Sequence, residues 1–193
     1  MDQVTSTTGL EGSASFVRDG VGRALTVTEN GQTANRLYDG FTVVADGAAQ
    51  LSTAPNGQVL GETTTTTTTK GKATTTSVAS VDVFTDVLGS AVATASAGVI
   101  SADLQLFGDL GDLLTTKKAA ASPTATVTGF TGKVSTAGLV EFATRTYDPS
   151  TRQWVQDDRY RGTTTRASSM NRYAYVAGAP ESFVDVRDCP RFG

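Results

Sequence analysis

The nine residues Ala24-Leu25-Thr26-Val27-Thr28-Glu29-Asn30-Gly31-Gln32 decide how the rest of the chain is read. From Ala24 to Thr28 apolar residues alternate with polar ones, the period of a half-buried strand. Asn30-Gly31 then marks a tight hairpin, because both central residues of such a turn need positive φ. Thr33 to Tyr38 reads as the return strand. Working outward, Asp39-Gly40 is another turn, and Phe41-Thr42-Val43-Val44-Ala45 is a third strand closed by Asp46-Gly47. Pro55-Asn56-Gly57 supplies the turn before Gln58-Val59-Leu60. Hairpin follows hairpin, and helical periodicity is almost absent. Residues 99–107 admit two helical turns as well as a strand, and the strand is preferred.

The unit recurs. Phe16, Asp19 and Gly22 precede one strand, with Gly31 at its turn and Tyr38-Asp39 at the far end. Phe84, Asp86 and Gly89 precede Ser90-Ala91-Val92-Ala93-Thr94, with Gly98 at the turn and Phe107-Gly108-Asp109 at the far end. The Asp-to-Gly and Gly-to-Gly spacings are the same in both copies, and a looser third version ends in Tyr147-Asp148. Such self-similarity marks an array whose units cannot bury their apolar faces alone.

Composition removes several kinds of chemistry. The 193 residues hold no histidine, the commonest general base and metal ligand. The single cysteine, Cys189, permits no internal disulfide and no cysteine-rich metal site. Neither a Ser–His–Asp nor a Cys–His relay can be assembled within these residues. Neither a cofactor nor a metal is therefore expected. A formal charge of −3 argues against nucleic acid or an anionic membrane as the main partner. No apolar run is long enough to span a membrane, and Met1-Asp2-Gln3-Val4-Thr5-Ser6 lacks the pattern of a signal peptide.

Two stretches are of low complexity. Thr63 to Thr69 is an unbroken threonine run, followed by Lys70, Lys72 and Thr74-Thr75-Thr76. It reads as a strand-prone edge or a loop, with lysines that discourage edge-to-edge aggregation. Thr115 to Thr128 reads as a connector. The last third gathers aromatic residues, among them Phe130, Phe142, Tyr147, Trp154, Tyr160, Tyr173 and Tyr175, and every cation after Lys133 is an arginine. Asp148, Asp157, Asp158, Glu181, Asp185 and Asp188 nearly balance those arginines, which suggests a dense, ion-paired module.

Here the residues carry a resemblance. Gly129-Phe130-Thr131-Gly132-Lys133 is followed by Thr136-Ala137-Gly138-Leu139 and by Arg145-Thr146-Tyr147-Asp148-Pro149-Ser150-Thr151. Trp154-Val155, then Ser169-Met170-Asn171-Arg172-Tyr173-Ala174-Tyr175-Val176, then Ala179-Pro180-Glu181-Ser182-Phe183-Val184-Asp185 complete the series. In order and spacing it resembles the RHS repeat-associated core, the C-terminal end of bacterial RHS (YD-repeat) proteins of the polymorphic-toxin type. The upstream copies resemble the YD repeats of the same family, including the turn from Asp86 to Ser90. The motif residues so identified are Tyr147, Asp148, Pro149, Trp154, Asn171, Tyr173, Tyr175 and Pro180.

The expected architecture is thus mostly β: antiparallel hairpin repeats in a YD-repeat-like strip, ending in a compact aromatic- and arginine-rich core module. Residues 1–61 would be repeat-like hairpins, 62–80 a threonine- and lysine-rich loop or edge, and 81–111 a second repeat-like hairpin. Residues 112–128 would be a linker and 129–193 the core. The resemblance implies a β-strip that spirals into a hollow shell, with the core sealing one end around a toxin cargo. It also implies a secreted or cell-surface protein. The partners implied are the remainder of such a shell or another copy of this chain, and a toxin cargo. The simplest reading is a terminal segment of such a protein, with no toxin following Gly193.

In many members the core is also an autoprotease that uses aspartates near an Asp-Pro-x-Gly motif and frees a C-terminal toxin. Two carboxyls sharing one proton activate water without imidazole. In this sequence the motif aligns with Asp185-Val186-Arg187-Asp188, so its proline and its glycine are both replaced. The earlier Asp-Pro position falls at Asp158-Arg159. Asp185 is the first candidate, with Asp158 or Asp188 as partner; the alternative is that all three are arginine-paired or turn-forming. A structural shell-and-plug role, a single-turnover aspartyl autoprotease, and a carbohydrate- or surface-binding module remain the readings. The plug role predicts buried rings at Trp154 and the tyrosines, and the binding module predicts exposed ones.

Overall fold

A computed structural model describes residues 3–9, 12–101, 104–114, 126–157, 164–165 and 170–178. Ten strands form one antiparallel meander, each paired to the next in chain order. They are β1 (Ser6–Gly9), β2 (Gly12–Arg18), β3 (Ala24–Glu29), β4 (Gln32–Asp39), β5 (Thr42–Asp46), β6 (Ala49–Thr53), β7 (Val59–Lys70), β8 (Ala73–Thr85), β9 (Ala91–Ser96) and β10 (Val99–Ile100). A second sheet holds β11 (Val134–Thr136), β12 (Leu139–Glu141), β13 (Thr146–Asp148) and β14 (Gln153–Trp154), again in chain order. Short 3-10 turns at Phe130–Gly132 and Tyr175–Gly178 flank it, and no α-helix occurs among the described residues. The chain is mostly β, with antiparallel hairpins leading into a small second sheet, as the alternation and turn residues imply.

One end of the meander is turned by tight two-residue loops, the other partly by a recurring five-residue loop. Asn30-Gly31 and Ala97-Gly98 take positive φ at both positions, the pattern that matches strand twist. The longer loop closes with two backbone bonds, the first residue's N–H to the fifth carbonyl and the fourth N–H to the first carbonyl. Residues 19–23, 54–58, 86–90, 108–112 and 129–133 all make this pair. The fourth residue is glycine each time (Gly22, Gly57, Gly89, Gly111, Gly132), and each has positive φ. In two copies an aspartate locks the loop. Asp19 Oδ1 accepts N–H bonds from Val21, Gly22 and Arg23, and Asp86 Oδ1 accepts from Leu88 and Ser90. This is the physical content of the repeated Asp-to-Gly spacing.

Register shifts at Val17/Arg18, Leu37/Tyr38, Ser52/Thr53 and Phe84/Thr85 put an irregularity just before each turn at that same end. Bulges of this kind bend a strand and raise its local twist. One face carries the core: Ala14, Phe16, Val27, Ala49, Leu51, Val59, Val81, Val83 and Ala91 are buried. Their outward neighbours Val17, Leu37, Leu60 and Phe84 are exposed.

The threonine run takes the strand alternative. It forms half of the β7–β8 hairpin, paired from Gly61↔Asp82 to Lys70↔Ala73. β6 pairs with β7 only as far as Thr64, and β9 reaches only Asp82 of β8, so the distal pairs project as a two-stranded ribbon. Residues 65–80 are all exposed. The divisions at 61/62 and 80/81 fall inside β7 and β8, which join both repeat-like segments in one sheet. In residues 99–107 the strand begins as β10, and Phe107 bridges Leu113. The middle of the 112–128 connector lies outside the described residues, while Thr128 bridges Val134 of the second sheet.

Candidate functional site

The second sheet is a module built on rings. Phe130, Phe142, Tyr147, Trp154 and Tyr175 are buried together, with Val140 in the cluster and Phe107, Leu110 and Val176 against it. Phe142 meets Trp154 edge-on at 4.9 Å between centroids, and Tyr147 lies 4.6 Å from Tyr175. Tyr147 is fully buried, and its hydroxyl donates to the Leu110 carbonyl at 2.8 Å. Burial pushes that phenol up to about 12. Arg145 sits over the Trp154 ring at 3.9 Å, the stacking role expected of arginine here.

The other motif residues shape the turns around this cluster. Asp148 Oδ1 accepts from the N–H and the hydroxyl of Ser150, folding the chain across Pro149. Partial burial works to raise the Asp148 pKa, but the Ser150 and Thr151 hydrogen bonds outweigh it and hold the carboxyl below its ordinary value. Asn171 Oδ1 accepts the N–H of Tyr173, whose carbonyl accepts from Trp154 N–H at 3.0 Å. Tyr173 itself is 46% exposed, unlike Trp154 and Tyr175 at 2% each. Arg172 pairs with Asp157, and Arg152 lies 4.0 Å from Asp112. Pro180, Asp158, Asp185 and Asp188 lie outside the described residues.

The module sits on the inner face of the strip through charged groups that sequence reasoning missed. Arg18 on β2 reaches Glu141 on β12 at 3.0 Å, with both side chains almost wholly buried. The same guanidinium donates to Thr146 Oγ1 and to the Val4 and Gly22 carbonyls. Burial pushes the Glu141 carboxyl up, against the pull of Arg18 and Arg36. Arg36 on β4 donates to Thr136 Oγ1 at 2.7 Å, and its Nε lies 3.2 Å from Asp46 in an ion pair that is not a well-formed hydrogen bond. Glu29 accepts from Ala137 N–H at 2.6 Å, and Glu62 accepts from Val127 N–H and the Thr126 hydroxyl. The signal was parity: Arg18 shares the inward face with Phe16, and Glu29 shares it with Val27.

Close backbone approach completes the seating. Ala91 N–H donates to the Gly129 carbonyl, and Thr131 N–H to Ser90 Oγ. A Cβ on Gly132 would stand 3.0 Å from the Gly89 carbonyl, so two copies of the five-residue loop meet through their glycines. A cleft of about 930 Å³ runs between strip and module, walled by Val27, Arg36, Phe130, Val134, Thr136 and Val140. Among the described residues no group of acidic residues and cysteine could hold a metal ion, and no helix is long and apolar enough to cross a membrane.

No protein-family model matches the sequence, and no curated protein does. Solved structures do. A crystal structure of TcdB2–TccC3–TEV aligns at TM-score 0.61 and 15% identity, over 92% of this chain and 9% of that one. TcdB2–TccC3 aligns at TM-score 0.59 and 16% identity, over 92% and 9%. The Photorhabdus luminescens Tc holotoxin pore, carrying a TccC3 mutation, aligns at TM-score 0.56 and 13% identity, over 90% and 9%. The chain thus spans 9% of the length of the solved chains it matches. The likeness is one of fold: the strip and its module take the fold of the matching part of these chains.

Proposed function

We propose that this chain is a shell-and-plug segment of an RHS-type toxin-delivery or cell-surface protein, the strip forming wall and the module an end seal over enclosed cargo. The observation that carries this reading is the seating of an aromatic module on the inner face of a bulged meander. Buried rings at Tyr147, Trp154 and Tyr175 support it over a sugar-binding groove, which needs rings in solvent, while Tyr173 departs from that expectation at 46% exposed. Export to the cell surface or the medium belongs to the same proposal. The rest of the wall comes from further repeats or another copy, paired along the edges of β1 and β10, which end the large sheet among the described residues.

Sedimentation velocity across a concentration series tests this. Association is expected, with loss of it in Thr7→Lys or Ile100→Lys, which place a charge on one free edge each. A chain that stays monomeric throughout, or variants that associate as the parent does, would remove the edge-pairing basis of the reading. Aspartate-dependent self-cleavage is the enzymatic alternative, and its candidate aspartates Asp158, Asp185 and Asp188 lie outside the described residues.

A further inference from the structure

Strip and module keep separate apolar cores among the described residues. The ring cluster takes in Phe107, Leu110 and Val176 but no residue of β1–β10. The two strip clusters take in only Val127 and Ala137 from the chain beyond β10. Apart from those two apolar contacts, the described residues join the bodies by polar bonds: Arg18–Glu141, Arg36–Thr136, Glu29–Ala137, Glu62–Val127, Ser90–Thr131 and Ala91–Gly129. The cleft of about 930 Å³ enters where a close-packed interface would be solid.

This seam is also incompletely satisfied. Arg36 Nε and Nη1, Asp46 Oδ1, Thr131 Oγ1 and Glu141 Oε1 are buried without a hydrogen-bond partner among the described residues. Lifting the module would open these atoms to water. Taking paired charges out of water roughly cancels their attraction, so a seam of this kind fixes geometry more than it adds stability. An apolar interface of equal extent would weld the two bodies into one cooperative unit.

We infer that the module is a separable plug, docked through a polar latch and able to lift off the strip as a body while both cores stay folded. Its meaning rests on the shell-and-plug reading, but its geometry does not, and it is tested apart from edge pairing. The Arg18–Glu141 pair is the ion pair that crosses the seam among the described residues, and both side chains are 97% or more covered.

Residue-resolved native-state hydrogen exchange on the full chain reads the latch directly. The amides of Ala91, Val127, Thr131 and Ala137 are bonded across the seam. They are expected to open together, faster than the amides paired within β2–β3 and within β12–β13. Glu141→Gln leaves Arg18 without its counter-charge and should speed the seam set by roughly tenfold or more. The strand amides should keep their parent rates. Because that variant risks misfolding, Arg18→Met with Glu141→Leu supplies the second arm, replacing the pair by apolar groups of similar size. Its seam amides should exchange more slowly than those of Glu141→Gln, the remaining loss coming from the Val4 and Gly22 carbonyls and Thr146, which lose Arg18 as donor. Seam and strand amides that exchange as one set in the parent overturn the inference. A double variant whose seam opens as fast as that of Glu141→Gln overturns it too.

Discussion

At the scale of single residues, Tyr147 and Gly132 have the most to explain. The Tyr147 phenol is pushed up to about 12 by burial, while an unfolded tyrosine titrates near 10. Below about pH 10 both states keep the proton, and nothing changes. Between about 10 and 12 the unfolded chain ionises and the folded chain does not, so stability falls through that window, by on the order of 2 kcal/mol. Chemical denaturation at pH 9 and at pH 11 should show the loss in the parent. In Tyr147→Phe the difference should shrink, because no phenol remains to titrate there. A parent whose stability is flat to pH 11 would contradict the buried-phenol account. Gly132 adds a steric argument. Alanine there takes a strained positive φ and brings a methyl 3.0 Å from the Gly89 carbonyl. Gly31 has the same sign of φ but open space around it. Gly132→Ala should therefore cost more than Gly31→Ala, the latter about 1–2 kcal/mol from backbone strain alone. Equal losses in thermal melts would mean that the two glycine-bearing loops do not press on each other.

At the scale of elements, the hairpins were legible and the loops between them partly so. Asn30-Gly31 announced its own turn, since few other pairs tolerate two positive φ values. Ala97-Gly98 and Ala137-Gly138 use the same geometry with an alanine first, and no propensity rule points to them. The spacing from Asp19 to Gly22 and from Asp86 to Gly89 was visible because a carboxylate and a glycine do separate jobs in one loop. Residues 54–58 and 129–133 make the same loop without the aspartate, and so escaped the pattern. Asp86→Ala should destabilise by about 1 kcal/mol, the usual worth of such a hydrogen-bonded cap, and Asp19→Ala by a similar amount. The threonine run was ambiguous for a physical reason. With every position alike there is no alternation, hence no buried face to fix its place. Cross-strand hydroxyl contacts at Thr67–Thr76 and Thr69–Thr74 hold the ribbon instead. Thr65 and Val78 are direct cross-strand partners, so replacing residues 66–77 by Asn-Gly keeps the register. That deletion should move Tm by less than about 3 °C, since no core contact is lost. A larger fall would assign the ribbon a packing role.

At the scale of the whole molecule, what the sequence hid was the relation between its two halves. Arg18 and Glu141 are too far apart in sequence to suggest each other, and an inward charge on a strand looks like a local oddity until its partner is seen. Aromatic content did foretell a ring-based module, because so many rings in one segment find no other place than together. Whether the module also cuts its own chain is decided by aspartates beyond the described residues, and there the sequence alone argues. Proline before a cleavage site presets the backbone, and glycine after it permits close approach. Asp185-Val186-Arg187-Asp188 offers neither, so a reporter domain fused after Gly193 should remain attached, as read by intact mass. Release of the reporter from the parent, with retention in Asp185→Asn, would instead make the C-terminal third a single-turnover aspartyl protease. The module would then be a catalyst as well as the seal proposed for it, because two carboxyls sharing a proton need no histidine. Release from both parent and Asp185→Asn would point to Asp158 or Asp188, or to a host protease. The Asp158→Asn and Asp188→Asn variants separate those cases, since only self-cleavage is lost with a carboxyl.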